Sequence, residues 1–238
     1  MRSEEVYGEP SMLKECQRCG TCCRKGPPAL HEQDIGLYTS GLLRKGDLLT
    51  LRQGEWVYDS VKDALLVLPE EIVRLKAGPG GQSCSFLSEE DSSCRIYEQR
   101  PEECRAMKCW DPAEFEAMYQ QGRIGRNRLI PRSSALAEII AEHEQACSYA
   151  RIRPLAEKLL QSADQQAAQE LAAIIRQDEE MRSFLQERAE AGQEVLDFLF
   201  GRPLTRTLPG FGIKVERQGD GYRFHREGNA RVRRLLRI

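Results

Sequence analysis

Long apolar runs are missing from this sequence. They stop at about five residues, as at Ala64–Leu68, far short of the roughly 20 that cross a bilayer. No membrane span and no membrane partner are therefore expected. The first residues, Met1-Arg2-Ser3-Glu4-Glu5-Val6, are polar and acidic where a secretory leader is basic and then apolar, so the expected location is cytoplasmic. Internal repeats and low-complexity tracts are also absent, as are a Walker loop, a dinucleotide fingerprint, a G-x-S-x-G elbow and an H-E-x-x-H helix. Carboxylates are plentiful, but no pair stands out as general acid and base. Any catalysis would have to use thiolates. Cysteine itself is too sparse for a disulfide scaffold: nine residues, about 4%, against roughly 8–10% in such small proteins. The odd number argues against complete pairing.

What is present is a foldable chain. Its 238 residues are 40% hydrophobic and 30% charged, the balance of a globular protein with a real core. The expected class is α+β, in three segments. A cysteine-rich, metal-nucleated module of short strands and helices spans 1–132, an amphipathic helical segment 133–201, and a basic β-hairpin tail 202–238. In the module, Gly26-Pro27-Pro28 closes the first cysteine loop, because proline neither continues a helix nor donates to a ladder. His31–Arg44 reads as a short helix weakened by Gly36 and Gly41, and Asp47–Leu68 as a few short strands interrupted at Gly54. Gly78-Pro79-Gly80-Gly81 then breaks the chain ahead of the second cysteine group. Beyond it, Leu136, Ile139, Ile140, His143 and Cys147 share a helix face, with Ser133 or Ser134 as N-cap. Pro154 is expected to begin a further helix, and two or three helices fit before Gly201. In the tail, Ile213–Phe224 alternates around Gly219-Asp220-Gly221, a hairpin signal.

The cysteines carry the chemistry. Cys16-Gln17-Arg18-Cys19-Gly20-Thr21-Cys22-Cys23 spaces three sulfurs at intervals of three, which lets a tight loop aim them at one centre. Gly20 suits a positive φ or a close backbone approach to the metal. The spacing serves tetrahedral zinc or three corners of an iron–sulfur cluster, and does not choose between them. Cys22 and Cys23 are adjacent, so their side chains are expected to diverge and serve different purposes. Cys84, Cys94, Cys104 and Cys109 complete eight thiols, and the two groups must meet across about 60 intervening residues. Eight suffice for two four-thiolate centres, the simplest count, or for one centre with redox-active or buried cysteines. Zinc in four thiolates carries a net charge of −2, which Arg18, Arg24, Lys25, Arg95, Arg105 and Lys108 could offset, or they could be ordinary solvated charges. A structural metal supplies roughly 10–16 kcal/mol, as much as a whole domain's stability, so metal would decide whether this region folds.

These residues resemble the cysteine-cluster proteins of the YkgJ type, defined by C-x-x-C-x-x-C-C and described as chelating zinc or iron. The first signature is Cys16–Cys23. The second is Cys84-Ser85-Phe86-Leu87 followed by Cys94-Arg95-Ile96-Tyr97-Glu98-Gln99-Arg100-Pro101-Glu102-Glu103-Cys104-Arg105. The resemblance covers Cys16 to Trp110. It implies metal binding by Cys16, Cys19, Cys22, Cys23, Cys84, Cys94 and Cys104, with Cys109 less secure. A flagellin lysine-N-methylase is similar in its cysteine motif, so an iron–sulfur enzyme is an alternative. Arg100-Pro101 inside the second signature reads as an anchor and turn.

Other signals are weaker. His143 and Cys147, four apart on one helix face, could ligate a metal, but a buried histidine and a core cysteine are the plainer reading. His31-Glu32-Gln33-Asp34 reads as an acidic helix start rather than a metal site, and His225 as surface. From Arg202 onward the chain carries +7, leaving −9 on the remainder. With Tyr222 and Phe224 this tail could bind protein or nucleic acid, making the chain a zinc-stabilised interaction module. The alternative is an intramolecular or homo-oligomeric contact with the acidic remainder of the chain.

Overall fold

Residues 15–188 and 192–228 are described by the computed structural model. The first cysteine loop enters α1 (Thr21–Lys25), and a 3-10 turn at Glu32–Asp34 leads into α2 (Ile35–Thr39), which stops ahead of Gly41 at φ 79°. Leu43 is buried, and Ile35, Leu37, Tyr38 and Leu42 pack beside it, as the periodicity anticipates.

The strands are short and paired across the chain rather than in one sheet. β1 (Leu48–Leu51), β2 (Trp56–Asp59), β3 (Ala64–Val67) and β4 (Ile72–Leu75) form two antiparallel pairs, β1 with β4 and β2 with β3. Gly54 at φ 83° makes the turn between β1 and β2, and a Cβ there would stand 2.9 Å from the Cβ of Tyr149. Asp59 closes the β2–β3 turn by accepting the amides of Val61 at 2.9 Å and Lys62 at 3.0 Å. The sequence did not point to β4. Arg74 breaks its apolar pattern yet is buried, because its guanidinium donates to the Pro27 carbonyl at 2.7 Å. On the side of β4 away from β1, Leu30 donates to Val73 at 2.9 Å and Val73 to Ile124 at 2.8 Å.

Two short helices follow, α3 (Glu102–Ala106) and α4 (Ala113–Met118), and then the longer helices begin. α5 (Ala135–Cys147) is capped by Ser134, whose hydroxyl accepts the Ala137 amide at 3.3 Å. α6 (Tyr149–Ser162) corrects the expected start at Pro154, which lies inside it. Tyr149 fixes the earlier start: its ring is buried against Phe211 at 5.5 Å and its hydroxyl donates to Thr207 at 3.0 Å. Pro154 then forfeits only the bond to the Ala150 carbonyl. α7 (Gln165–Arg188) and α8 (Gln193–Phe200) follow, and α8 ends at Gly201. Gly201 is at φ 70°, and a Cβ there would meet Thr50 O and Arg52 Cδ at 2.9 Å. α9 (Leu204–Thr207) leads to the hairpin of β5 (Ile213–Gln218) and β6 (Gly221–Arg226), turned by Gly219-Asp220 with Gly219 at φ 58°.

One apolar core joins Leu30, Leu48, Val73 and Leu75 to Leu196, Phe198 and Phe200 of α8; a second joins Tyr149, Ile152, Leu171 and Ile174 to Leu208 and Ile213. Tyr222 and Phe224 pack on the second core, and the Tyr222 hydroxyl donates to Glu179 at 2.7 Å. Arg217 pairs with the same carboxylate at 3.5 Å. The hairpin thus makes an intramolecular contact with acidic α7. Arg231, Arg233 and Arg234 lie outside the described residues.

A chain of buried ions runs between the cores. Arg52, fully buried, donates through Nε and Nη2 to Glu144 at 2.7 and 2.8 Å, and to the Cys147 carbonyl at 2.9 Å. Arg126 reaches the same carboxylate at 2.7 Å and also bonds Glu71 and the Leu199 carbonyl. Glu55 pairs with Arg202 at 2.5 Å. Asp178 accepts from His143 at 2.8 Å, from Arg182 at 3.0 Å and from the Leu204 amide at 3.0 Å. Burial holds the His143 imidazole below its ordinary pKa, so the neutral ring donates Nε2–H to ionised Asp178 and stacks 4.3 Å from Phe200. The Cys147 thiol is turned to the Ile174 carbonyl at 3.7 Å. Both residues are core.

Burial pushes the Glu144 carboxyl up, but Arg52 and then Arg126 outweigh it and hold its pKa at about 2. A depressed carboxyl contributes stability that is complete above its unfolded value and is lost as pH falls through the folded one. Stability should therefore fall from about pH 4.5 down to about pH 2. Glu144→Gln should cost roughly 3 kcal/mol at neutral pH, the low end for breaking a buried pair, and flatten that acid limb. Urea titrations of both chains at stepped pH test this.

Candidate metal centre

The second cysteine segment is built from turns rather than regular elements. Cys84 and Cys94 sit on a narrow loop held by backbone bonds, Ser88 to Ser93 at 2.8 Å and Arg95 to Phe86 at 3.0 Å. The loop meets the first group directly, since the Cys84 amide donates to the Cys23 carbonyl at 2.9 Å. A 3-10 turn at Tyr97–Gln99 and the fixed φ of Pro101 then start α3, which carries Cys104. Three bonds place α3. Asp34 accepts the Glu102 amide at 2.9 Å, Glu103 accepts the Ala29 amide at 2.8 Å, and His31 Nε2 meets Glu103 at 3.1 Å. The other ring nitrogen of His31 meets the Gln121 carbonyl at 2.7 Å. Burial lowers the His31 pKa, but acceptors at both nitrogens outweigh it and hold the ring above its ordinary value. Asp34 also accepts the His31 amide at 2.9 Å, so this acidic stretch caps a helical turn.

The first loop is strained where it turns. Arg18 lies at φ 51° and Gly20 at φ 72°. A Cβ on Gly20 would stand 2.9 Å from Arg24 Nη1, 3.1 Å from Leu87 Cδ1 and 3.3 Å from the Ser92 carbonyl. The close approach is thus to the second cysteine loop. Arg24 fastens the same junction through the Cys19 carbonyl at 3.0 Å, the Ser92 hydroxyl at 2.8 Å and Glu89 at 3.2 Å.

The thiols fall into an inner and an outer set. Cys84 is buried, Cys23, Cys94 and Cys104 are half-buried, and Cys16, Cys19, Cys22 and Cys109 are exposed. The charges of Cys84, Cys22 and Cys94 act on Cys104, and those of Cys22, Cys104 and Cys84 on Cys23. Burial first, and then the neighbouring thiols, raise the Cys84 and Cys104 pKa values. The neighbouring Cys23 thiol lowers Cys22 to about 6 and Cys22 raises Cys23, while the two differ in exposure, Cys22 exposed and Cys23 half-buried. Cys19 is lowered by the Thr21 hydroxyl, 3.1 Å away. The Arg18 amide donates to Cys16 Sγ at 3.4 Å. Cys109 stands apart on the turn Lys108–Asp111. Among the described residues, no three His, Cys, Asp or Glu side chains are already closed as a metal cage.

The cations near the thiols are mostly spent elsewhere. Arg95 donates to the Ser85 carbonyl at 2.5 Å, Arg105 to Glu102 and the Arg100 carbonyl, and Lys108 to Glu114 at 2.5 Å. Arg100, read from sequence as an anchor, is the cation whose charge acts on Cys16, Cys22 and Cys104. Sequence reasoning gave no role to Tyr97, whose ring centre lies 3.9 Å from the Arg18 guanidinium carbon and 4.0 Å from that of Arg100. An aromatic between Cys94 and Cys104, with an arginine in each signature, was the available signal.

No curated protein and no solved structure matches the chain. Residues 15–122, just under half of it, match the CxxCxxCC family, whose description reads "Putative zinc- or iron-chelating domain".

Proposed function

We propose that this chain binds zinc or an iron–sulfur cluster through its gathered thiolates. The observation that carries this reading is that the two cysteine groups meet across about 60 residues of intervening chain, where the Cys84 amide donates to the Cys23 carbonyl at 2.9 Å. The donor set fits such a metal in chemistry: soft sulfur ligands, with carboxylates and histidines tied to other partners. Cys23, Cys84, Cys94 and Cys104 are assigned as inner ligands, and Cys16, Cys19 and Cys22 as outer ones. Thiols that burden one another with like charge are relieved by a cation, which deprotonates them and offsets the repulsion.

The test is anaerobic purification followed by a visible spectrum and elemental analysis for iron, zinc and acid-labile sulfide. Metal in the chain supports the reading, and a folded chain free of metal under reducing conditions defeats it. Brown protein with iron and sulfide assigns the cluster; colourless protein with zinc assigns a thiolate zinc site. Cys104→Ser should lower bound metal by roughly half or more, since a thiolate site loses an inner ligand. Cys147→Ala should leave metal content unchanged.

Gly20→Ala should cost about 1–2 kcal/mol for the left-handed backbone alone, with the contact to Leu87 and Ser92 adding to it. Urea denaturation and metal analysis of the same sample should show both stability and metal content reduced.

A further inference from the structure

The two halves of the first cysteine loop are held very differently. From Gly20 onward the loop is locked to the second segment by close packing on Leu87, by Arg24 on Glu89 and Ser92, and by the Cys84 to Cys23 backbone bond of 2.9 Å. Cys16 to Arg18 reaches the same segment through the side chain of Arg18. Its guanidinium carbon lies 3.9 Å from the Tyr97 ring centre, and its Nη2 lies 3.4 Å from Glu98. The ion pair is exposed on both sides, so solvent leaves it little strength. The ring contact is the firmer part. Tyr97 is half-buried and is itself held by Arg100, 4.0 Å from the ring centre and next to the proline that starts α3. Arg18 is also kept in a left-handed conformation at φ 51°, which a β-carbon-bearing residue adopts only when its surroundings impose it. Releasing the side chain removes that imposition, so the loop can swing away from the Gly20 end.

The geometry points to Arg18, Tyr97 and Arg100 as a latch that holds the Cys16 end of the first loop against the second cysteine segment and sets the rate at which metal exchanges. This rests on the metal-binding reading above. Tyr97 is a positioning residue and makes no bond to metal in this scheme. A loop fastened by cation–π contacts at a partly exposed site opens readily, whereas a centre closed wholly by buried ligands does not. The latch therefore gives Cys16 the character of an entry port, while Cys84 and Cys104 stay fixed by their loop and helix.

Two measurements on the full chain test it, using wild type, Tyr97→Ala and Tyr97→Phe. The first is transfer of zinc from the zinc-loaded chain to 4-(2-pyridylazo)resorcinol. The second, on the chain before loading, is the initial rate of tryptic cleavage at the Arg18–Cys19 bond, mapped by mass spectrometry. Trypsin must extract the Arg18 side chain from the ring before it can cut. Tyr97→Ala should speed both about tenfold, the scale set by losing two such contacts, with zinc stoichiometry and melting temperature unchanged. Tyr97→Phe, which keeps the ring, should remain near wild type in both. Wild-type rates of zinc transfer in a Tyr97→Ala chain that still binds zinc would overturn the latch, even if cleavage accelerated. A wild-type chain that binds no metal would instead defeat the reading on which the latch rests, and stoichiometry separates the two failures.

Discussion

Charges taken into the interior have to be paired before apolar groups can close around them, and the rest of this molecule is arranged on that requirement. Arg52 is sealed from solvent, and its planar fork is matched by both oxygens of Glu144. Glu144 in turn receives Arg126, so one carboxylate ties the turn after β1, the turn near residue 126 and helix α5. Such pairs contribute little net stability over apolar packing, but removing one partner strands the other. They therefore dictate which helix meets which strand. Asp178 does the same for α5, α7 and the start of α9 by accepting from His143, Arg182 and the Leu204 amide.

The cysteine region depends on that frame. Its own elements are short, and the residues carrying thiols sit mostly on turns. Their positions are set by backbone and carboxylate bonds that begin in the frame: β4 aligns residues 28–30, which orient His31 and Asp34, and these place α3 and its Cys104 through Glu103 and the Glu102 amide. The inner thiols belong to parts with such anchors. The outer thiols belong to a loop whose first half has lighter fastenings. A gradient from firmly to lightly fastened thiols follows from the local bonding.

Much of the fold was legible because local physics decided it. Ser134 caps α5 as its position suggested, Gly219-Asp220 turns the hairpin, and Gly20 occupies the left-handed turn its place between cysteines required. Where the reading failed, a distant partner had overridden a local rule. Arg74 hid a buried strand because its guanidinium finds the Pro27 carbonyl 47 residues away. Pro154 suits a helix start by its fixed φ, but Tyr149 is anchored to Thr207 and Phe211 and begins the helix earlier.

The sequence by itself determined the grouping of the thiols: spacing at intervals of three, a glycine at the turn and a second group downstream are local properties of the chain. It also determined where the long helices and the final hairpin lie, since periodicity and turn chemistry act over a few residues. Only the tertiary structure decided which thiols are inner and which are at the rim, that Arg100 acts on Cys16, Cys22 and Cys104 while Arg74 and Arg95 act on Cys84, and that Tyr97 bridges Arg18 to Arg100. Burial and charge pairing are sums over residues far apart in the chain, and no local pattern encodes them.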